Sequence, residues 1–266
     1  MRFSVVVCAY NEEKYLDGCL RSLLEQNYDA ADYELIVIDN DSSDRTPDIA
    51  TKYLNEKQPD VSLRYFRIKH VGLSTSRNFA VKQASGDIVI FVDGDAIADK
   101  DLLKEYELVF NNVQCDYSGG RINLLNKDNT LAQMLQNTKY KQVFSGKRKK
   151  NCLHGANMAF RSKIFDKFQF IENFYSRGDD SSFITMIADD YSYFPAEKAI
   201  VFHERPEELK EWVKITYTEM ELSYKVATLV EQFSGKKDSS FFKGALSNGI
   251  IFISLLLSFL SPLFLF

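Results

Sequence analysis

A run of five apolar residues, Ile88–Val92, is the feature that most limits what this chain can fold into. Gly86 and Gly94 lie just outside the run, and no polar residue interrupts it. Unbroken apolar strands of this length are typical of parallel sheets, because helices cover such strands on both faces. The run therefore predicts a central strand of an α/β domain, with Asp93 and Asp95 just beyond its apolar part.

Asp93 and Asp95 form an acid pair separated by one glycine. Ligands of open α/β sheets bind at the carboxyl ends of the strands, so we expect both acids to face a cleft. Two carboxylates in a partly dry site raise each other's pKa unless a cation lies beside them. Mg²⁺ and Mn²⁺ accept carboxylate ligands and complete their coordination with water and substrate phosphates. The pair predicts a metal–diphosphate site, with a loop of solvated acids as the alternative.

Two further strands, predicted over Phe3–Cys8 and Tyr33–Ile38, also end in polar residues. A helix is predicted between them, with Asn11 as its N-cap residue. Strand, helix and strand at this spacing form a right-handed βαβ unit, which brings the carboxyl ends of both strands to one edge of the sheet. Tyr10 and Asp39 are therefore expected at that edge.

Such an edge can hold a nucleotide without a glycine-rich loop. Tyr10 can stack on a base, Asp39 can accept a hydrogen bond from a ring N–H, and Arg77 can reach a base or a phosphate. Each has an ordinary alternative, since a tyrosine can simply pack and the polar turn 39–44 can cap the next helix. Neither G-x-G-x-x-G after the first strand nor G-x-x-x-x-G-K-[ST] occurs, so dinucleotide and P-loop chemistry are poorly supported. The net charge of −4 gives no basic field, so nucleic acid is not expected as a partner.

The second half of the chain contributes another acid pair and a histidine. Gly178-Asp179-Asp180 precedes a helix predicted over Ser181–Ala188, and His203 follows strands predicted over Tyr191–Phe194 and Ala199–Phe202. Acids at a helix N-terminus complement its dipole, and one that points into a cleft can also act as a general base. A histidine at a strand end can complete a metal shell.

The C-terminal residues have a different composition. Gly249–Phe266 carries no charge, and eighteen residues in a helix extend about 27 Å, enough to cross a hydrocarbon core. Lys236, Lys237 and Lys243 precede this stretch and favour a cytoplasmic N-terminal part. We predict a catalytic domain over 1–205, an amphipathic juxtamembrane segment over 206–246 and a transmembrane helix over 247–266.

Six ordered motifs between residues 3 and 205 resemble those of the inverting family 2 glycosyltransferases. The resemblance implies the A-type nucleotide-diphospho-sugar transferase fold, a Rossmann-like α/β fold with a mixed, mostly parallel central sheet flanked by helices. Any one motif is common, but the six in this order are specific. They are Val5–Glu13, Glu34–Thr46, Gly72–Asn78, Asp93–Asp95, Gly155–Arg161 and Gly178–Asp180.

The resemblance also implies a donor site and a metal site. Asp95, Asp93 and His203 would hold Mn²⁺ or Mg²⁺, which stabilises charge on a departing nucleoside diphosphate. Asp93 could contact the ribose as well. The positions implied in substrate binding are Tyr10, Glu12, Asp39, Asp41, Arg77, Asp93 and Asn157.

For the chemical step, the resemblance implies that Asp180, or failing it Asp179, deprotonates the acceptor hydroxyl for in-line attack with inversion. The family commonly has glutamate-aspartate at this position, which leaves the choice of base open. The Gln-x-x-Arg-Trp signature of processive synthases is absent near Arg205–Trp212, and a single membrane span is predicted. Both observations favour transfer of one sugar.

The expected activity is therefore transfer of one sugar from a nucleotide-diphosphate sugar, with UDP favoured, to a glycan or lipid-linked acceptor at the cytoplasmic face of a membrane. A polyprenyl-phosphate glycosyl synthase is an alternative that the basic run Lys147–Lys150 and the apolar C-terminal stretch would suit. A second alternative is a non-catalytic module that binds nucleotide sugars.

Overall fold

The computed structural model describes residues 2–55, 61–125, 153–172 and 178–204. These residues belong to one unit of the chain, Met1–Glu207. The segments predicted over 206–246 and 247–266, and the basic run at 147–150, lie outside the described residues. Within the described ranges, no helix combines the length and the apolar character that a membrane crossing needs.

The described part of the chain alternates strands and helices around one sheet. The helices are α1 (Leu16–Leu24), α2 (Thr46–Asn55), α3 (Leu73–Gln83), α4 (Leu102–Asn112) and α5 (Asp179–Ile187). The strands are β1 (Phe3–Ala9), β2 (Tyr33–Asp39), β3 (Ser62–Arg67), β4 (Ile88–Asp93), β5 (Ala96–Ala98), β6 (Tyr117–Leu124), β7 (Asn157–Arg161) and β8 (Ala196–His203).

The sheet has eight strands in the order β3-β2-β1-β4-β7-β6-β8-β5. Strands β3, β2, β1 and β4 are parallel, and β6 is parallel to β8. The contacts of β7 with β4 and with β6, and of β5 with β8, are antiparallel. The prediction of a mixed, mostly parallel sheet in an α/β fold is thus confirmed.

The core explains why the apolar strands lack alternation. The apolar residues of β1, β2 and β4 are buried on both faces of the sheet, because helices cover it on each side. On α1, Leu16, Leu20 and Leu23 recur at the helical period and are fully buried. Each such leucine contributes about 1.5–3 kcal/mol through burial. The result is a rigid sheet whose carboxyl edge carries the polar loops.

The register places those loops together. Ala9 pairs with Asp39 and Cys8 pairs with Asp93, so β1, β2 and β4 all end at the same level. At the other half of the sheet, β5 pairs Ala96 with His203. The predicted meeting of strand ends at one edge is confirmed.

Two local predictions differ from the structure, and two elements were not predicted. Helix α1 begins at Leu16, not after Asn11, because Asn11 adopts a left-handed conformation (φ 57°) and uses its side chain to accept a hydrogen bond from the Ser43 amide. The strand predicted over 191–194 is only a single bridge between Tyr193 and Tyr117. The sequence reading also missed α4 and the short β5.

Candidate active site

The end of β4, the turn after it and the end of β8 bring three metal-ligating side chains together. One ligand atom each of Asp93, Asp95 and His203 lies within 4.8 Å of the other two. His203 Nε2 lies 3.0 Å from Asp95 Oδ1. Two carboxylates and an imidazole fit a divalent cation, the carboxylates favouring Mg²⁺ or Mn²⁺.

Glu12 adds a third carboxylate beside this cluster. A Cβ on Gly94 would lie 3.3 Å from Glu12 Cγ, so the absence of a side chain at 94 lets the two loops approach closely. Burial, and to a smaller extent the charges of Asp95 and Asp93, raise the pKa of Glu12 to about 7. A cation between these acids would relieve the repulsion.

The loops after β1 and β2 form a second part of the edge, where Tyr10 is 46% exposed. Its ring packs on His70 with the ring centroids 4.4 Å apart and the planes tilted by 37°. The His70 Nδ1 atom lies 3.1 Å from the Asn40 carbonyl oxygen, and the Asn40 side chain accepts a hydrogen bond from the Val71 amide. The tyrosine ring is therefore packed against His70 and remains partly exposed to solvent.

Asp39, the last residue of β2, is fully buried. Its carboxylate accepts hydrogen bonds from the Ser42 amide (2.8 Å) and the Tyr65 hydroxyl (2.9 Å). Asp41 is exposed, has φ 63°, and accepts a hydrogen bond from Arg67 Nη2 at 3.0 Å. The loop after β2 is thus held in one shape by its own acids.

Arg77 of α3, one of the predicted substrate-binding residues, is buried. Its Nη1 atom donates a hydrogen bond to Asp179, and its Nη2 atom lies 3.2 Å from Asp93 Oδ1 and from the Gly155 carbonyl oxygen. Burial alone would lower the pKa of Arg77, but the neighbouring acids Asp179 and Asp93 raise it above its usual value. Arg77 has 1% of its surface exposed, so its contacts in this structure are with the protein.

Asp179 and Asp180 occupy the first turn of α5, after Gly178 in a left-handed conformation (φ 86°). Asp179 is buried against Arg77, and its burial raises its pKa while the guanidinium opposes the shift. Asp180 is only partly buried and accepts hydrogen bonds from the Gly155 amide (2.9 Å) and the Ser181 amide (2.6 Å). The two acids therefore have different surroundings, one enclosed and one accessible.

Asn157 lies in the core of the sheet and not at the cleft. Its Oδ1 atom accepts a hydrogen bond from the Tyr106 hydroxyl (2.6 Å), and its Nδ2 atom donates to the carbonyls of Arg121 and Ala199. A Cβ on Gly120 would lie 2.2 Å from the Asn157 Nδ2 atom, so the backbone of β6 packs directly against the Asn157 side-chain amide. These contacts join β6, β7 and β8, so the structure places this predicted substrate-binding residue where it supports the sheet.

Sequence reasoning missed His70 and Glu204. His70 follows β3, the neighbour of β2, so the strand-end argument that found Tyr10 and Asp39 would have found it too. Glu204 directly follows His203 and contacts the Tyr15 hydroxyl, and its carboxylate lies 3.3 Å from Lys14 Nζ. The signal for Glu204 was its position next to a predicted metal ligand.

Comparisons with known proteins show which sequences and structures this chain is similar to. The family model described as glycosyl transferase family 2 matches residues 4–169. The poly(ribitol-phosphate) beta-N-acetylglucosaminyltransferase TarS of Staphylococcus aureus is 40% identical over 105 residues, which are 40% of this chain and 18% of TarS. The poly(ribitol-phosphate) beta-glucosyltransferase of Bacillus spizizenii is 32% identical over 139 residues, 52% of this chain and 22% of the relative. The chain thus matches less than a quarter of the length of either relative.

Solved structures show the same fold. TarS 1–349 in complex with UDP superposes with a TM-score of 0.62 at 22% identity, covering 91% of this chain and 68% of the other. The mannosyltransferase PcManGT of Pyrobaculum calidifontis, in complex with GDP-Man and Mn²⁺, gives a TM-score of 0.66 at 19% identity, with 94% and 69% covered. Because the family model covers more than half of the sequence, the chain belongs to glycosyl transferase family 2.

Proposed function

We propose that this protein transfers a single sugar from a UDP-sugar to an acceptor hydroxyl, with inversion and with a divalent cation. The observation that carries the proposal is the cluster of Asp93, Asp95 and His203 at the sheet edge where β1 and β2 end. Support for the donor class comes from TarS, whose structures hold UDP and UDP-GlcNAc. Support for the cation comes from PcManGT, whose structure holds Mn²⁺ with GDP-Man.

The donor end of the site is assigned to the loops after β1 and β2. Tyr10 would stack on the base, and the loop shaped by Asp39 and Asp41 would border the nucleoside. Asp93, Asp95 and His203 would hold the cation, with Glu12 beside them. The cation supplies positive charge that stabilises the departing nucleoside diphosphate.

Asp180 is assigned as the general base. It is partly exposed, and its hydrogen bonds from the Gly155 and Ser181 amides orient the carboxylate. In the reaction it would take the proton of the acceptor hydroxyl while that oxygen bonds to the anomeric carbon and the bond to UDP breaks. Asp179 is enclosed and paired with Arg77, so it is less suited to reach a substrate.

The acceptor and location follow as parts of the same proposal. The names of both relatives specify poly(ribitol-phosphate), a polymer of hydroxyl-bearing units, which supports a glycan-like or lipid-linked acceptor. The uncharged residues 247–266 would anchor the protein in a membrane, with residues 1–205 on the cytoplasmic side. Transfer would be non-processive.

The test uses the full chain in detergent with a panel of UDP-sugars and Mn²⁺, measuring UDP release. We expect metal-dependent release that Asp95→Asn lowers by about 100-fold or more. Asp190→Asn is the matched control, because Asp190 is a surface acid that pairs with Lys167. Turnover that survives EDTA, or no turnover with any UDP-sugar, would contradict the proposal.

Thermal stabilisation separates binding from catalysis. A ligand that binds only the folded state raises the melting temperature, so UDP with Mn²⁺ should shift it more than GDP, TDP or CMP. A shift with UDP but no release from any UDP-sugar would identify a non-catalytic binding module.

A further inference from the structure

We propose that Tyr15 is a positioning residue for the metal site. Through its contact with Glu204, it holds the peptide that orients the ring of His203. The inference deepens the proposed function and rests on it, because it concerns the cation of the same site. Tyr15 lies in the loop after β1, and Glu204 directly follows the last residue of β8.

The first step is the contact between Tyr15 and Glu204. Tyr15 immediately precedes α1, and its hydroxyl donates a hydrogen bond to the Glu204 carboxylate. Lys14 Nζ lies 3.3 Å from an oxygen of the same carboxylate. Tyr15 is partly buried, whereas Lys14 is exposed. Exposed ion pairs of a flexible lysine contribute little, so the tyrosine hydroxyl is the contact that fixes this carboxylate.

The second step leads from Glu204 to the imidazole. The Glu204 carbonyl oxygen contacts His203 Nδ1, and the other ring nitrogen, Nε2, lies 3.0 Å from Asp95 Oδ1. A neutral histidine with its proton on Nδ1 donates to this carbonyl and keeps the Nε2 lone pair for a cation. A histidine that binds a metal commonly has such a partner on its other nitrogen, which fixes the tautomer and the orientation of the ring.

The third step is what holds the Glu204 peptide. The sheet pairs His203 with Ala96 and with Leu124, so the backbone of the histidine is fixed by two neighbouring strands. Glu204 lies one residue beyond this pairing. Its side chain, anchored on Tyr15, therefore sets the direction of its peptide and of the carbonyl oxygen that faces Nδ1.

The fourth step is the support of Tyr15 itself. Its amide donates a hydrogen bond to the Glu12 carbonyl oxygen at 3.0 Å, and the Glu12 amide donates to Thr46 Oγ1 at 2.7 Å. Thr46 is the first residue of α2, so the turn that ends at Tyr15 is tied to the next helix. The anchor of His203 is thus built on the same turn that carries the Glu12 carboxylate.

This arrangement predicts weaker cation binding when the hydroxyl is removed. Tyr15→Phe keeps the ring and loses the contact with Glu204. With the full chain in detergent and saturating UDP, we expect the Kd for Mn²⁺ to rise about 10–100-fold, the usual effect of losing the partner that orients a metal ligand. Electron paramagnetic resonance of free Mn²⁺ measures this Kd without any turnover. UDP binding in EDTA, measured by calorimetry, should remain that of the wild type.

Tyr28→Phe is the matched control. The Tyr28 hydroxyl also donates to a carboxylate, Glu107 Oε1 at 2.9 Å, and its ring packs against Phe3. Phe3 begins β1, so this contact lies at the opposite end of the strand from the metal site. The same deletion of a hydroxyl should leave the Kd for Mn²⁺ unchanged there.

Two further backgrounds show whether Tyr15 acts along the proposed route. Glu204→Ala removes the other half of the contact and should weaken Mn²⁺ binding as Tyr15→Phe does, and the double variant should bind no more weakly than either single one. In His203→Ala, which has already lost the ligand, the addition of Tyr15→Phe should change the Kd no further. A general effect of Tyr15 on the fold would persist in that background.

The outcomes separate this inference from the proposed function. A wild-type Kd for Mn²⁺ in Tyr15→Phe would overturn it, and so would a further loss when Tyr15→Phe is added to His203→Ala. If the expected losses occur but the wild type releases no UDP from any UDP-sugar, the inference stands and the proposed transfer fails. A wild type that binds no Mn²⁺ in the presence of UDP would overturn both.

Discussion

The two ends of the candidate site are built in different ways. The proposed donor end, around Tyr10 and Asp39, consists of loops that directly follow neighbouring strands and are held by hydrogen bonds from backbone amides to side chains. The proposed acceptor end includes a buried ionic network in which Arg77 binds Asp179, 102 positions further along the chain. Substitutions in the loops around Tyr10 should therefore have local effects. Substitutions in the network around Arg77 should affect several elements at once.

The largest expected effect separates chemistry from binding. Asp180→Asn should lower kcat about 10²–10⁴-fold, because the acceptor proton loses its base. The Kd for UDP should remain that of the wild type. Steady-state kinetics with calorimetry measures both, and Asp190→Asn serves as the surface control. Retention of most activity in Asp180→Asn would remove the acceptor end from the proposed mechanism.

A second prediction compares the stability of the two ends. Asp179→Asn leaves the buried Arg77 charge undercompensated and should cost about 3–5 kcal/mol of unfolding free energy. Asp41→Asn breaks an exposed pair with Arg67 and should cost about 1 kcal/mol or less. Urea unfolding of both variants gives the comparison. Equal losses would mean that the ionic network is no more essential to the fold than a surface pair.

The third prediction concerns the exposed ring of Tyr10, which we propose stacks on the base of the donor. Tyr10→Ala should weaken UDP binding by about 1–3 kcal/mol, the usual contribution of a base stacked on an aromatic ring. Tyr10→Phe preserves the ring and should bind like wild type, and kcat at saturating donor should be retained in both. A large fall in kcat in Tyr10→Ala would show that the two ends are not independent.

The smallest expected effect is on pH dependence in the metal-free protein. The pKa of Glu12 is raised from 4.5 to about 7 by burial and by Asp95 and Asp93. The folded state therefore holds a proton that the unfolded state releases, so the contribution of Glu12 favours folding below the unfolded pKa and is lost as the pH rises through the folded one. Glu12→Gln should raise the Tm of EDTA-treated protein by a few degrees near pH 8 and flatten its fall above pH 5.

The control for that titration is Glu197→Gln, because Glu197 is exposed on β8. Its Tm profile should follow that of the wild type. Identical profiles for Glu12→Gln and wild type would show that the three acids do not repel each other in the folded protein.

Sequence reasoning predicted the meeting of the strand ends but not the buried ionic network around Arg77, and the reason is physical. Tyr10, Asp39 and Asp93 directly follow or end parallel strands, and the ends of parallel strands meet at one edge whatever the rest of the chain does. The partners of Arg77 come from β4, α5 and the turn at 155, and no local pattern encodes pairings between such distant segments. The burial of Asn157 depends in the same way on β6 and β8 closing over it.

The contact between Gly155 and Arg77 also bears on how such a site can diverge. The link from the guanidinium to Asp180 runs through backbone atoms, which every substitution retains, while the added carbon of any other side chain would collide with the guanidinium. Substitution of Gly155 should therefore displace the guanidinium. The exposed loops around Tyr10 and Asp41 take no part in this contact, so substitutions there should leave the acids around Arg77 in place.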